Sequence, residues 1–117
     1  MPHIRALFVE NEDEEIMTLL REKKTAVRKA VAFRTGYTLE EIAFIPEMVP
    51  AKLADLAENL LPLEFIIDAG TKCSNPATGF INANLKADLI ELGFAEVHFG
   101  IWLRANTDND FQEHKPA

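Results

Sequence analysis

The sequence predicts an α+β fold made of two fused β-α-β units, with a four-stranded mixed sheet and two helices on one face. Three observations predict it. The chain has 117 residues, which is enough for one ordinary domain but not for two. Apolar residues make up 48% and charged residues 26%, a composition that supports a folded core. The order of strand, helix, glycine and strand occurs twice along the chain.

The repeat is visible in the spacing of matching residues. Pro2 and Pro62 open the two halves 60 residues apart. The glycines that follow the helices, Gly36 and Gly93, lie 57 residues apart. Two copies are too few for a stacked repeat protein, so both belong to one domain. The single domain covers residues 1–117, with halves at about 2–46 and 62–104 and a connection at 47–61.

The first half begins with a strand at Pro2–Val9, in which alternate residues fall on opposite faces and one of the two faces is apolar. An acidic run follows and suits a helix start, because carboxylates in a first turn complement the helix dipole. Apolar residues then recur at helical spacing, and Gly36 ends the helix. A short second strand is predicted at Glu41–Ile45, closed by Pro46.

The connection carries apolar residues at helical spacing between positions 53 and 60. This spacing predicts a short amphipathic helix, which is either a packing segment or a lid. The residues after Asn106 are polar, and we expect them to be mobile.

The second half repeats the plan of the first. A strand is predicted at Pro62–Ala69, and Asn75 and Pro76 form the cap and first residue of a helix. The helix ends at Gly93, and the last strand covers Glu96–Arg104.

The strand pattern also predicts an oligomer. The strand at Pro62–Ala69 has apolar residues on both faces. Two helices cover only one face of the sheet, so the other face needs a cover as well. Another subunit is the simplest cover.

Charge and composition exclude several classes of function. The net charge of -7 makes the chain a poor partner for nucleic acid or for an anionic membrane. The apolar runs are shorter than the roughly 20 residues that a bilayer requires. His3, His98 and His114 lack the spacing of metal ligands, so we expect neither a metal nor a cofactor. With Cys73 as the lone cysteine and no signal peptide, we expect a cytoplasmic protein.

Pro2 is the residue with the most distinctive chemistry. Removal of Met1 leaves its nitrogen as a free secondary amine. An ordinary α-amino group titrates at about 7.7–8.0. Burial among apolar groups lowers that pKa, because it disfavours the charged form. A neutral secondary amine near neutral pH can act as a general base, or as a nucleophile toward carbonyls.

Four short motifs accompany Pro2 in a matching order. They are Thr35-Gly36-Tyr37, Glu41-Ile42-Ala43, Ile67-Asp68-Ala69-Gly70 and Glu96-Val97-His98-Phe99. Over Pro2 to Leu103, this pattern resembles the tautomerase superfamily, in the forms typified by macrophage migration inhibitory factor and 4-oxalocrotonate tautomerase. The resemblance implies a homotrimer with an active site at each subunit interface. It implies an isomerase that moves a proton α to the carbonyl of a small keto or unsaturated carboxylic acid.

The resemblance assigns three catalytic residues. Pro2 matches the catalytic amino-terminal proline of the family. Tyr37 stands where cytokine-like members have a lysine, and His98 and Gly100 stand where they have a tyrosine and an asparagine. Tyr37 and His98 would then polarise the carbonyl or stabilise the enolate.

Five further residues are predicted to bind the substrate. Gly70 matches the position at which a backbone N–H lines the family's pocket. Lys72 lies near the position at which decarboxylase-type members have an arginine that binds a carboxylate. Trp102 and Arg104 share a face of the last strand on which a glycine leaves open space. That face suits either a small anion or a polar subunit interface. Arg34 is either a cation at a helix C-terminus or a ligand for the substrate carboxylate.

Two alternatives remain at this stage. A non-catalytic trimeric binding protein would keep the assembly without the chemistry, and the replaced family residues favour it. A hydratase, dehalogenase or decarboxylase would use the same proline on the same fold. Retention of Met1 would remove the free amine and leave the enzyme without its base.

Overall fold

Two β-α-β units and one additional strand make up the described part of the chain. The computed structural model describes residues 2–11, 14–70, 78–105 and 108–117. In chain order the strands and helices are β1 (His3–Val9), α1 (Glu15–Thr35), β2 (Ala43–Val49), α2 (Ala51–Ala54), β3 (Leu63–Gly70), α3 (Thr78–Leu89), β4 (Phe99–Ala105) and β5 (Asp108–His114), with a 3-10 turn at Leu39–Glu41 and a π turn at Ile90–Phe94.

The five strands form one mixed sheet in the order β2-β1-β3-β4-β5. Within each unit the two strands are parallel, since β1 pairs with β2 and β3 with β4. The units meet along an antiparallel pair, β1 with β3. The predicted doubling and the predicted mixed sheet are therefore confirmed.

The prediction of four strands was wrong by one, and so was the expectation that residues after Asn106 are mobile. Asp108–His114 pairs antiparallel with β4 along its whole length. The Phe111 ring packs on Trp102 with 4.7 Å between ring centroids. From α3, the Asn82 amide donates a hydrogen bond to the Asp110 carbonyl at 3.1 Å. These contacts hold a strand whose sequence is almost entirely polar.

The core lies between the sheet and the two long helices. Its centre is an edge-to-face cluster of Phe65, Phe94 and Phe99, with ring centroids 5.5 to 6.3 Å apart. Ring pairs in this arrangement contribute about 0.5–1.5 kcal/mol each beyond their burial. Phe99, Ile101 and Leu103 of β4 are fully buried under the helices.

Both predicted helix-ending glycines adopt positive φ. Gly36 has φ 85°, and its N–H donates to the Ala32 carbonyl at 2.9 Å, which closes the last turn of α1. Gly93 has φ 127° inside the π turn that follows α3. A β-carbon disfavours this region, so glycine is suited to both positions.

The predicted bounds of the second strand were wrong. Glu41 lies in the 3-10 turn, because its side chain accepts hydrogen bonds from the backbone N–H and hydroxyl of Thr38, both at 3.0 Å. The strand begins at Ala43 and continues through Pro46 to Val49. β2 lies at the edge of the sheet, where a missing backbone N–H can face away from the ladder.

The helix predicted between 53 and 60 is reduced to Ala51–Ala54. The side chains of Leu53 and Leu56 are 56% and 81% exposed, so this segment does not pack as an amphipathic helix. The helix ends at its C-cap, Asp55, and Asn59 adopts a positive φ of 59° before β3 begins.

Two other expectations concern the ends of the second unit. The cap predicted at Asn75-Pro76 lies outside the described residues. The last strand begins at Phe99 rather than Glu96, because the Val97 N–H donates to the Phe94 carbonyl and keeps the chain in a turn. In the segments that the structure describes, no helix is long and apolar enough to cross a membrane.

Candidate active site

The amino end of β1 holds Pro2 between two neighbouring strands. The Pro2 carbonyl accepts a hydrogen bond from the Ala43 N–H of β2 at 3.3 Å. On the other side, His3 lies opposite Asp68 of β3, so the next pair outward sets Pro2 opposite Ala69. Pro2 is half-buried in this position. Its ring is therefore fixed at one end of the sheet.

Tyr37 reaches the same end of the sheet from the turn after α1. Its hydroxyl donates a hydrogen bond to the Ala69 carbonyl. Because Ala69 lies opposite Pro2, the two predicted catalytic residues share this end of the fold. Gly70, which follows Ala69, is the last residue of β3 and pairs with Ala105 of β4. Three predicted site residues are thus brought to one region.

The face of the sheet turned away from the helices adds a polar row beside Pro2. His3 Nε2 lies 2.9 Å from Asp68 Oδ2. Asp68 is in register with Arg104 of β4, whose side chain is exposed. Sequence reasoning considered His3 only as a metal ligand and did not find its pairing with Asp68. The alternation of β1 and the motif around Asp68 were the available signals.

Arg34 is held in an ion pair between the helices. Its Nε and Nη2 donate to the two carboxylate oxygens of Asp88 on α3, at 2.8 and 2.9 Å. Hydrogen bonding and charge attraction from Asp88 raise the pKa of Arg34 above its ordinary value. The structure therefore joins Arg34 to Asp88, a partner that sequence reasoning missed. A contact between Arg34 and a substrate would have to replace this pair.

The open space predicted at Gly100 does not exist. A β-carbon there would lie 2.6 Å from Phe111 Cε1 and 2.9 Å from Leu61 Cδ1. Trp102, on the same face, packs on Phe111 and donates its Nε1–H to Glu64 Oε1 at 3.2 Å. The prediction of a small-anion gap here was wrong, because the unforeseen β5 carries an aromatic ring across it.

His98 lies at the opposite end of the sheet from Pro2. It precedes β4, whose first residue pairs with Leu63 at the start of β3. Pro2 is level with Ala69, six residues further along β3, which corresponds to about 20 Å. His98 Nε2 is 2.6 Å from Glu113 Oε2, and this hydrogen bond lowers the pKa of Glu113. Within one chain His98 does not reach Pro2, so a shared role requires a second subunit.

Two other sequence predictions lie outside the described residues. They concern Lys72 as a carboxylate ligand and the state of Met1. Among the residues that are described, no group of three or more His, Cys, Asp or Glu side chains is arranged to hold a metal ion.

The chain is similar to two solved structures at low sequence identity. The crystal structure of Pt0534 inactivated by 2-oxo-3-pentynoate aligns with a TM-score of 0.52 and 16% identity, over 91% of this chain and 88% of that one. The crystal structure of native fused 4-OT aligns with a TM-score of 0.46 and 15% identity, over 91% and 89%. No family model matches the sequence, and no curated protein matches it. At this identity the alignment with Pt0534 shows a shared fold, which agrees with the two-unit α+β architecture that the sequence predicted.

Proposed function

We propose that this protein is a tautomerase-type isomerase that uses the Pro2 amine as a general base. Its substrate is a small keto or unsaturated carboxylic acid, and the reaction moves a proton α to the carbonyl. The observation that carries the proposal is the half-buried position of Pro2 at the sheet end, opposite Ala69, the residue whose carbonyl accepts the Tyr37 hydrogen bond. The shared fold supports it.

The chemistry requires Pro2 to carry a free, neutral nitrogen. After removal of Met1, the amine takes a proton from the carbon next to the carbonyl, and the electron pair of that C–H bond forms the enolate. The protonated amine then returns the proton to another carbon of the conjugated system. Partial burial favours the neutral amine that starts this cycle.

Tyr37 and Gly70 form the wall next to Pro2 in this proposal. The Tyr37 hydroxyl donates to the Ala69 carbonyl and so fixes the last residues of β3. The backbone N–H of Gly70 is the donor that would stabilise the enolate oxygen.

The substrate carboxylate is assigned to two cations, Arg104 and Lys72. Arg104 is the first, since its exposed side chain lies in register with Asp68 beside the strand of Pro2. Lys72 follows Gly70 by two residues in the sequence and is the second. Arg34 stays with Asp88 and serves to position the helix from which Tyr37 follows.

A homotrimer completes the proposed site. The sheet face away from the helices carries exposed apolar side chains, and Ile45, Trp102 and Phe111 are 42%, 36% and 37% exposed. Contacts of this face with other subunits would bury them. Such contacts would also bring His98 of one subunit toward Pro2 of another. A monomeric mass by light scattering at micromolar concentration would contradict this part of the proposal.

The test is Pro2→Ala, assayed by following the ultraviolet absorbance of enolisable 2-keto acids. The variant replaces the ring-held secondary amine by a primary amine that the ring no longer positions, and positioning of a general base contributes about 100-fold or more to the rate. Pro62→Ala is the matched control, because Pro62 opens the second unit and lies outside the proposed site. Undiminished activity in Pro2→Ala, with normal activity in the control, would falsify the proline mechanism.

A binding protein without catalysis is the second candidate. It is favoured by two observations, because Tyr37 and Arg34 already have partners within the fold and the space at Gly100 is filled. Intact-mass spectrometry separates the two candidates, since retained Met1 leaves the Pro2 nitrogen in a peptide bond and not as a free amine. A hydratase, dehalogenase or decarboxylase would share the Pro2 dependence and is distinguished by its product.

A further inference from the structure

A groove between α1 and the edge strand β2 lies outside the proposed active site. Its volume is about 580 Å³, which is within the usual range for small-molecule pockets. Its lining includes Ala43, whose amide binds the Pro2 carbonyl, but not Pro2 or Tyr37. The groove is thus a second concave surface on the same chain, with chemistry of its own.

The helix side of the groove carries three cations at helical spacing. Arg21, Lys24 and Arg28 line it from one stripe of α1. The Nε and Nη2 of Arg28 donate to the carbonyls of Ile42 and Leu39, at 3.0 and 2.9 Å. Both partners are neutral, so no carboxylate among the described residues forms an ion pair with this half-buried guanidinium. The net charge of the chain is -7, so a cation without a carboxylate partner is a local exception. The Arg28 guanidinium therefore favours binding of an anion.

The strand side and the far end of the groove are apolar. Phe44 and Met48 of β2 line one wall, and Met17 lies where α1 passes the end of the strand. Beyond Met17 and Met48 the surface becomes acidic, because Glu10 and Glu14 line the adjoining cavity. Cations therefore line the helix wall of the groove, apolar side chains line the strand wall, and the adjoining cavity is acidic.

This polarity favours a ligand with one anionic head and an apolar tail. A second carboxylate at the tail would meet the acidic end, which disfavours a dicarboxylate. Met17 and Arg28 are eleven positions apart on α1. At the rise of an α-helix this makes the groove about 16 Å long. That length suits a medium-length alkyl chain.

A β-strand of another protein is a poorer occupant of this surface. The Ala43 N–H and the Val49 carbonyl both bond to residues of the β1 segment, at Pro2 and Glu10. Backbone groups alternate in direction along a strand. Every second residue between Ala43 and Val49 therefore directs its backbone groups to the free edge of the sheet. Pro46 is one of these and has no N–H to donate, so a pairing strand would lose a hydrogen bond at mid-edge.

We propose that the α1–β2 groove binds an aliphatic monocarboxylate of medium chain length. Its carboxylate contacts Lys24 and Arg28, and its tail lies along Phe44, Met48 and Met17. The site is independent of the Pro2 chemistry, because it shares no side chain with it.

Titration with decanoate tests the proposal, followed by calorimetry and by amide chemical shifts of the full chain. Decanoate is expected to bind saturably at one site per chain, with shifts in α1 and β2. Decanol and decylamine share the tail but lack the carboxylate, and they should bind about tenfold more weakly or worse. Equal affinity for all three compounds, or no saturable binding of decanoate, would overturn the proposal.

Charge variants on α1 give the second test. Lys24→Glu should weaken decanoate binding by about tenfold or more, because it replaces a cation of the groove by an anion. Lys29→Glu changes the net charge equally at an exposed site on the same helix outside the groove, and should leave binding nearly unchanged. Equal weakening by both variants would overturn the assignment. Pro2→Ala should bind decanoate normally, so this proposal and the catalytic one can fail separately.

Discussion

The two β-α-β units share one topology but differ in how their second strand is enclosed. β4 is paired on both sides, with β3 and β5, whereas β2 is an edge strand. On the helix-facing side, Phe99 of β4 is fully buried, while Met48 of β2 is 49% exposed. The added strand β5 therefore turns one unit into a closed core. The other unit keeps an open groove and carries the Pro2 end of the sheet.

This difference shows how a doubled plan can divide its roles. The three rings of Phe65, Phe94 and Phe99 all belong to the second unit, and so does the buried amide of Asn82. The first unit supplies Pro2, Tyr37 and the groove. The following substitutions test how the two units differ in stability.

The largest expected effect is the contrast between two core phenylalanines. Phe99→Ala removes a fully buried ring and should lower the free energy of unfolding by about 3–5 kcal/mol. Phe44→Ala removes a partly exposed ring from the edge strand, and about 1 kcal/mol is expected there. Urea unfolding at one fixed protein concentration measures both. Equal losses would mean that the two units are enclosed equally.

The attachment of β5 is tested by two asparagines on α3. The Asn82 amide donates to the carbonyls of Ile101 and Asp110 at 3.0 and 3.1 Å, and its side chain is fully buried. Asn82→Ala leaves these acceptors without their donor and should cost about 1–3 kcal/mol of unfolding free energy.

Asn84→Ala is the control for that variant. The Asn84 amide only bonds back to the Phe80 carbonyl within the helix, so little loss is expected. Hydrogen exchange adds a local readout, because Asn82→Ala should speed exchange in β5 more than in β2. If exchange in β5 stays as slow as in the parent chain, Asn82 does not hold this strand.

The smallest effects concern stability in acid. In each unit a carboxylate accepts a hydrogen bond from a basic side chain. Hydrogen bonds from Arg5 lower the pKa of Glu47, and the hydrogen bond from His98 lowers that of Glu113, both from an ordinary value of 4.5. A lowered folded-state pKa gives stability that is present above about pH 4.5 and is lost as the pH falls through the lowered value.

Glu47→Gln and Glu113→Gln remove this acid dependence, one unit at a time. Thermal unfolding between pH 3 and 6 should show a smaller drop on acidification for each variant than for the parent chain. A parallel drop in all three proteins would contradict the assignment of these carboxylates.

Much of the fold could be predicted because helix periods, glycine stops and strand alternation are local signals. The doubling of the β-α-β plan followed from them. The strand β5 could not be predicted, because Phe111 is the only strongly apolar residue among seven. Its stability comes from contacts with α3 and β4 that no local pattern encodes.

The candidate site was predictable only in part, for a related reason. Pro2 and Tyr37 come together because each lies at the end of an element that the sequence identifies. The distance of His98 from Pro2 depends on the register of β3 and β4, which the sequence does not reveal. The engagement of Arg34 depends on Asp88, 54 residues away. Such long-range partners emerge only when the helices are packed.

Pro46 has a consequence for behaviour at high concentration. An exposed edge strand is a template on which other copies can add strands and build fibrils. At the free edge of β2, the middle position offers no hydrogen to an incoming strand. Addition of a strand from another copy would lose a hydrogen bond at this position. A small ligand can still enter the groove between α1 and β2. Pro46 thus disfavours strand addition at the β2 edge of the sheet without closing the groove.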